Sequence, residues 1–144
     1  YSAICFASGL AEDGHVHTID INEELEDICA KYFEKSGFRN QITHHIGAAL
    51  DIIPTIDETF DLVFIDADKI NYANYYDLVF DKVRPGGFII ADNVLWSDKV
   101  VEEIRPSDKD TLAIHAYNQK IQNDPRVENY LLPIRDGLNV ARKL

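Results

Sequence analysis

The stretch Phe60-Asp61-Leu62-Val63-Phe64-Ile65-Asp66-Ala67-Asp68-Lys69 constrains the fold more than any other in the chain. Its apolar run, Leu62 to Ile65, is short and bulky and ends abruptly in two carboxylates and an ammonium. Such a run predicts a strand buried on both faces, as in a parallel sheet. In open α/β sheets, ligands sit just beyond the carboxyl ends of the strands, which is where Asp66, Asp68 and Lys69 fall. A second run repeats the design, with Gly86-Gly87-Phe88-Ile89-Ile90-Ala91 leading directly into Asp92-Asn93. Two neighbouring strands would then offer Asp66, Asp92 and Asn93 to one crevice, the all-oxygen donor set that hard divalent cations take. Turn chemistry alone accounts for a single acidic strand end, because a chain re-entering solvent favours Asp or Asn. Two strand ends of matched chemistry beside a lysine point instead to a site.

A chain of 144 residues is read as one domain with a real core. Its 14 basic against 25 acidic residues leave a net charge of −11, which argues against nucleic acid and anionic membrane surfaces as partners. No apolar stretch approaches the ~20 residues of a membrane span, and no signal-peptide pattern is visible. Cys5 and Cys29 both lie in apolar helical patterns, so the expectation is two buried free thiols in a reducing, cytoplasmic setting. The chain begins at Tyr1 and contains no Met, so an upstream segment is expected.

Taken in order, Ser2 to Ser8 reads as a helix closed by Gly9, and Val16 to Ile19 as a strand ending at Asp20. Asn22 is the expected cap of a helix with Glu23 and Glu24 in its first turn, where the helix dipole favours negative charge. Leu25, Ile28, Cys29, Tyr32 and Phe33 have the spacing of a buried stripe, and Ser36-Gly37 ends it. Ile42 to Ile46 predicts a strand, Gly47 a turn, and Ala48 to Ile53 a short helix cut by Pro54. After the central strand, Asn71 is the expected cap of a helix whose Tyr72, Tyr75, Tyr76 and Val79 share a face. Arg84-Pro85-Gly86-Gly87 is a breaker ahead of the strand to Ala91. Val94-Leu95-Trp96 opens a polar loop to Pro106. Ser107 and Asp110 have capping-box spacing at the start of a helix to Asn123. Val127 to Ile134 and Leu138 to Lys143, around Arg135-Asp136-Gly137, predict a terminal hairpin. The alternation describes an α/β sandwich with a mostly parallel sheet and an antiparallel hairpin at its end. His44 and His45, consecutive on a strand, point to opposite faces and cannot chelate together. His15, His17 and His115 show no matching partners.

Thr18-Ile19-Asp20-Ile21-Asn22, Asp66-Ala67-Asp68-Lys69 with Tyr72, Ala91-Asp92-Asn93-Val94-Leu95-Trp96 and Leu132-Pro133-Ile134-Arg135-Asp136-Gly137-Leu138 together resemble the cation-dependent O-methyltransferases. That family includes the caffeoyl-CoA and catechol O-methyltransferases. The resemblance covers essentially the whole chain, in order. It implies a single Rossmann-like class I methyltransferase domain over 1–144 that uses S-adenosylmethionine (SAM) and a divalent cation, usually Mg²⁺. A small phenolic molecule would be the acceptor, and the full-length protein a homodimer. Residue by residue, it implies Asp66, Asp92 and Asn93 as metal ligands and Lys69 as general base, a role favoured where burial disfavours an ammonium. Asp20 matches the carboxylate on the SAM ribose, Ser2 the hydroxyl near its methionine carboxylate, and Ala49 and Asp68 further cofactor contacts. Tyr72 and Trp96 fall where aromatic residues line the acceptor pocket. The family's Glu-x-Gly-Thr-x-x-Gly loop and first strand would precede Tyr1. That strand would lie between those ending at Asp20 and Asp66, leaving the two parallel but unpaired across an open slot.

Other readings differ in class. Asp20 by itself also suits a NAD-dependent oxidoreductase, which a Gly-rich turn before it would decide. A receiver domain also ends a central strand in Asp and binds Mg²⁺, but it needs an acidic pair at its first strand and a lysine on a later one. A third reading is an inactive fragment of a methyltransferase, and Lys69 has its own alternative as a neutraliser of Asp66 and Asp68.

Overall fold

The computed structural model describes all of residues 1–144. The chain forms two compact units, Tyr1–Ile56 and Asp57–Leu144.

In the first unit, helix α1 (Ser2–Ser8) precedes strand β1 (Val16–Asp20), helix α2 (Glu26–Ser36), strand β2 (Ile42–Ile46) and the short helix α3 (Ala49–Ile52). Strands β1 and β2 pair in parallel, with Val16 opposite Ile42 and Asp20 opposite Ile46. Asn22 caps as expected, its Oδ1 accepting from the Glu24 N–H at 3.0 Å, but one 3₁₀ turn (Glu23–Leu25) intervenes before α2. Gly37 ends α2 in the left-handed region at φ 80°, a conformation cheap only for glycine. The core of this unit is Ala3, Ala7, Phe33 and Ile42, with Ile4, Leu10, Val16, Cys29 and Phe38 packed around it.

Three expectations fail here. The α2 stripe is not buried as a whole: Phe33 is, while Ile28 and Tyr32 are each 51 % exposed and Leu25 is exposed too. A two-stranded sheet is narrow, and only the Cys29–Phe33 edge of the stripe reaches its core. Cys5 is exposed and Cys29 half-buried, both free, because α1 turns Ala3 and Ala7 inward at i, i+4 and leaves Cys5 outside. His17 does have a partner: its Nδ1 lies 3.0 Å from His45 Nε2, with the two rings stacked. The parallel register sets Ile19 opposite His45, which puts His17 and His45 on one face as diagonal neighbours. His44, as expected, points to the other face, edge-on to Phe33. Burial lowers the His45 pKa, and the neighbouring His17 and His44 lower it further.

The second unit contains β3 (Phe60–Ile65), α4 (Tyr72–Phe80), β4 (Val83–Asp92), α5 (Lys109–Gln122), β5 (Val127–Leu132) and β6 (Leu138–Lys143). Its sheet has the order β3-β4-β6-β5, the first pair parallel and the other two antiparallel. Ile89 and Ala91 of β4 and Asn139 and Ala141 of β6 are buried on one face, with Tyr72, Tyr76, Val79, Ile114, Tyr117 and Ile121 of α4 and α5 completing the core. Each large apolar side chain buried there contributes roughly 1.5–3 kcal/mol. The opposite face is more open, with Leu62 40 % and Phe88 37 % exposed. β3 is therefore not buried on both faces: α4 and α5 cover one side, and Leu62 on the other stays exposed.

The strand β4 also begins earlier than the breaker suggests. Phe60 pairs with Val83, after which the register jumps so that Leu62 pairs with Phe88. Arg84 to Gly87 are thus a bulge inside the strand, a place where proline and glycine are tolerated. The cap of α5 is Asp108 rather than Ser107: Asp108 Oδ1 accepts from the Thr111 N–H at 3.2 Å. No helix is long and apolar enough to cross a membrane.

Two predictions follow from this packing. A Cβ at Gly87 would meet Val83 Cγ1 at 2.7 Å and the Arg84 and Asp61 carbonyl oxygens at 2.9 and 3.0 Å. Gly87→Ala should therefore cost about 1–3 kcal/mol in urea unfolding; unchanged stability would show that the bulge relaxes freely. The Asp124 carboxylate, on the α5–β5 connection, accepts from Arg126 Nε at 2.8 Å, Arg126 Nη2 at 2.6 Å and the Tyr76 hydroxyl at 3.0 Å. Those bonds, Arg126's first, hold its pKa well below the usual carboxylate value. A depressed folded pKa stabilises above the unfolded value of about 4 and is lost as pH falls below it. Asp124→Asn should thus be less stable at pH 7, with the gap to wild type closing as the pH is lowered from about 5 toward 2 in thermal melts.

Candidate active site

The parallel register of β3 and β4 places Ile65 opposite Ala91, so Asp66 and Asp92 leave the sheet side by side. Beyond Asp66 the chain makes a 3₁₀ turn, Lys69–Asn71, that leads into α4. In such a turn the side chains at i and i+3 lie over one another, which stacks Lys69 above Tyr72 and beside Asp66. Asn93 adopts a left-handed φ of 59°, turning the chain sharply after β4, and its N–H donates to Asp92 Oδ1 at 2.7 Å.

These elements converge on one amine. Lys69 is buried, with 9 % of its surface exposed. Its Nζ donates to Asp66 Oδ1 at 3.3 Å, to Asn93 Oδ1 at 3.1 Å and to the Tyr72 hydroxyl. The Trp96 ring lies alongside, its centroid 5.6 Å from Nζ. Tyr72 is fully buried, and its hydroxyl donates in turn to the Asp92 carbonyl at 3.0 Å. Burial, followed by the charges of Asp66 and Asp92, raises the Tyr72 pKa far above its ordinary value, so the phenol keeps its proton. The geometry thus puts Tyr72 beneath the lysine, while Trp96, half-buried, remains open to the surface.

Asp68 faces away from this cluster. Its carboxylate accepts from the Tyr75 hydroxyl and from Asn71 Nδ2 at 2.5 Å. Burial and that bond to Asp68 push the Tyr75 phenol up to about 12. Asn71 occupies the cap position of α4 without a capping bond, because its side chain is engaged with Asp68 and, through Oδ1, with Asn74 Nδ2 at 2.8 Å.

The other candidate cofactor residues lie in the first unit. Asp20 ends β1, where its Oδ1 accepts from the Asn22 N–H at 2.9 Å. Ala49 begins α3 just past β2, and the Gly47 N–H donates to the Asp20 carbonyl at 2.8 Å, so both lie at the carboxyl edge of the β1–β2 pair. Ser2 is the first residue of α1 and is exposed.

The donor set suits a hard divalent cation. No cluster of three or more His, Cys, Asp and Glu side chains closes on one point; the set is two carboxylates and one amide. It is nevertheless all oxygen, and two of its atoms already flank a positive charge, the Lys69 ammonium. Asp92 and Asn93 also line a cavity of about 560 Å³ together with Ser97, Asp98, Arg135 and Asp136. Sequence reasoning placed Ser97 and Asp98 in the loop from Leu95 to Pro106 expected to set acceptor specificity, and gave Arg135 and Asp136 no individual role. The motif containing Arg135-Asp136 was visible, but its position beside Asp92 depends on the hairpin turn folding back: the Leu95 N–H donates to the Asp136 carbonyl at 2.9 Å and the Ser97 N–H to Asp136 Oδ1 at 2.6 Å.

Known proteins resemble this chain over its whole length. Tricin synthase 2 from Oryza sativa subsp. japonica is 35 % identical over 157 residues, covering 99 % of this chain but 53 % of its own length. Caffeoyl-CoA O-methyltransferase 5 from Nicotiana tabacum is 34 % identical, covering 100 % and 65 % respectively. The chain therefore spans between half and two thirds of these relatives. Among solved structures, the O-methyltransferase from Bacillus cereus in complex with SAH matches with a TM-score of 0.94 at 31 % identity, covering all of this chain and 69 % of that one. The O-methyltransferase TomG from Streptomyces achromogenes, in complex with SAM, matches with a TM-score of 0.93 at 27 % identity, over 99 % of this chain and 68 % of its own. The fold is that of the Rossmann-like methyltransferases, and a family model described as O-methyltransferase matches residues 1–144 without remainder. By its sequence and by its fold, this chain belongs to the O-methyltransferase family.

Proposed function

We propose that the protein carrying this chain moves a methyl group from SAM to a hydroxyl of a catechol-like or caffeoyl-type acceptor, with a divalent cation, Mg²⁺, held by Asp66, Asp92 and Asn93. The observation that carries the reading is the convergence of Asp66 Oδ1, Asn93 Oδ1 and the Lys69 amine at the ends of β3 and β4, in a chain of this family. The relatives' names support the acceptor class, and the SAM and SAH complexes of the structural neighbours support the methyl donor.

The chemistry asks little beyond positioning. When bound, the cation would supply Lewis acidity that lowers the pKa of an acceptor hydroxyl. Lys69 acts as base in its neutral form: once the ammonium has given up one proton to solvent, the free pair on Nζ takes the proton from that hydroxyl. The acceptor oxygen then forms its bond to the methyl carbon as the carbon–sulfur bond breaks, the bonding pair staying on sulfur. Trp96 offers an aromatic wall beside the amine against which a planar acceptor packs. Asp20 accepts hydrogen bonds from the ribose hydroxyls, with Ser2, Ala49 and Asp68 as further contacts to the donor.

The alternative for Lys69, neutralising nearby carboxylates, finds support in only one ion pair: Nζ reaches Asp66, while Asp68 bonds instead to Tyr75 and Asn71.

Incubation with SAM and a catechol or caffeoyl thioester should give methylated product that disappears on thorough chelation and returns with Mg²⁺. Turnover indifferent to chelation would remove the cation from the mechanism. As a readout independent of turnover, Mg²⁺ should raise the melting temperature of the wild type and not that of Asp92→Ala. Lys69→Ala should lower kcat by ~10²–10⁴-fold while the Kd for SAM changes little; a variant that instead loses SAM binding and stability would favour the neutralising role.

A further inference from the structure

A lysine ammonium has three N–H bonds, and here all three are directed: to Asp66 Oδ1 at 3.3 Å, to Asn93 Oδ1 at 3.1 Å and to the Tyr72 hydroxyl. The first two acceptors are atoms of the proposed cation ligands. Only the Tyr72 oxygen lies outside that set. We propose that Tyr72 is the positioning residue for Lys69, anchoring Nζ through its hydroxyl to the main chain of Asp92. The inference rests on the role proposed above for Lys69.

The geometry supports a directional anchor rather than a chance contact. Tyr72 gives its own proton to the Asp92 carbonyl at 3.0 Å, so a lone pair is what its oxygen presents to Nζ. The ring cannot drift, being 0 % exposed and edge-on to Tyr117 with centroids 5.6 Å apart. The 3₁₀ turn fixes the other end, since Lys69 begins it and Tyr72 follows three residues later. A lysine carries four rotatable side-chain bonds, and one fixed acceptor that cation binding does not claim keeps its amine at the end of β3. The same hydroxyl joins α4 to the last residue of β4, so the base and a proposed cation ligand share one reference point.

Tyr72→Phe keeps the ring and removes only the hydroxyl. It should be compared with wild type, Lys69→Ala, the double variant and Tyr117→Phe in the protein that carries this chain, assayed with SAM, Mg²⁺ and a catechol. Tyr117 is a control from one ring deeper, because its buried hydroxyl has no hydrogen-bond partner. We expect Tyr72→Phe to lower kcat by ~10–100-fold, with the KM and Kd for SAM within about twofold of wild type. In the Lys69→Ala background the same change should cost less than about threefold, because the group it positions is gone. Tyr117→Phe should retain wild-type kcat. Tyr72→Leu, a second variant without the hydroxyl, should show at least the kcat loss of the Phe variant, which keeps the test open if Tyr72→Phe does not fold. A wild-type kcat in Tyr72→Phe overturns the inference, as does an equal loss with and without Lys69. If Lys69→Ala is as active as wild type, the base assignment falls and this inference with it. If Lys69→Ala is slow and Tyr72→Phe is not, only the inference falls.

Discussion

The alignment of two strand ends depends on a slip in register. Phe60 pairs with Val83, but from Leu62 onward the partner on β4 lies three residues further along than that first pairing would give. Had the initial register continued, Asp66 would sit opposite Ile89, roughly 10 Å short of Asp92 at about 3.3 Å per residue. An odd shift also exchanges the faces of the sheet, so Ile89 and Ala91 would have turned away from α4 and α5. The Arg84-Pro85-Gly86-Gly87 bulge absorbs those residues. Gly86 supplies a backbone at φ 77°, and Gly87 passes too close to Val83 and two carbonyls to carry a side chain. A feature that looks like mere punctuation therefore sets both the core side of β4 and the meeting of Asp66 with Asp92.

Once the strand ends are aligned, burial does the rest. An ammonium out of water is costly unless its donors find acceptors. Lys69 finds three, from the β3 exit, the β4 exit and the first residue of α4. The amine thereby orders the oxygens around it as much as they order the amine. The aromatic layer beneath, Tyr72 on Tyr117 and Tyr117 near Tyr76, carries that order into the core between α4 and α5. Tyr76 is in turn bonded to Asp124, which Arg126 also holds.

Much of this was legible in the sequence, and the failures share a cause. The apolar runs and their polar ends place the strands, and the spacing of Lys69 and Tyr72 places both at one turn, because these are properties of neighbouring residues. The α5 cap is ambiguous by one position, since Ser107 and Asp108 are both good caps and only the Thr111 amide decides between them. The open face of β3, the half-exposed α2 stripe and the His17–His45 contact depend on what packs against an element or on how two strands are registered. Tyr72 shows the limit most clearly. Spacing puts an aromatic ring near the site, but the direction of its hydroxyl is set by a carbonyl twenty residues away. Arg135 and Asp136 are placed at the cavity by a turn whose docking no local pattern announces.

That turn has one more consequence. The loop leaving β4 runs through consecutive left-handed residues Trp96, Ser97 and Asp98, a conformation that non-glycine residues hold only when the surroundings enforce it. The enforcement comes from the β5–β6 turn, whose Asp136 and Gly137 take the amide protons of Val94, Leu95 and Ser97, and whose Gly137 leaves no room for a Cβ against Leu95. Hairpin turns at a surface are ordinarily where insertions and deletions accumulate during divergence. Here the turn is a template for a cavity wall, so a change in its length re-forms the wall. The length of the terminal hairpin turn and the shape of that cavity are therefore coupled through the contacts of Asp136 and Gly137.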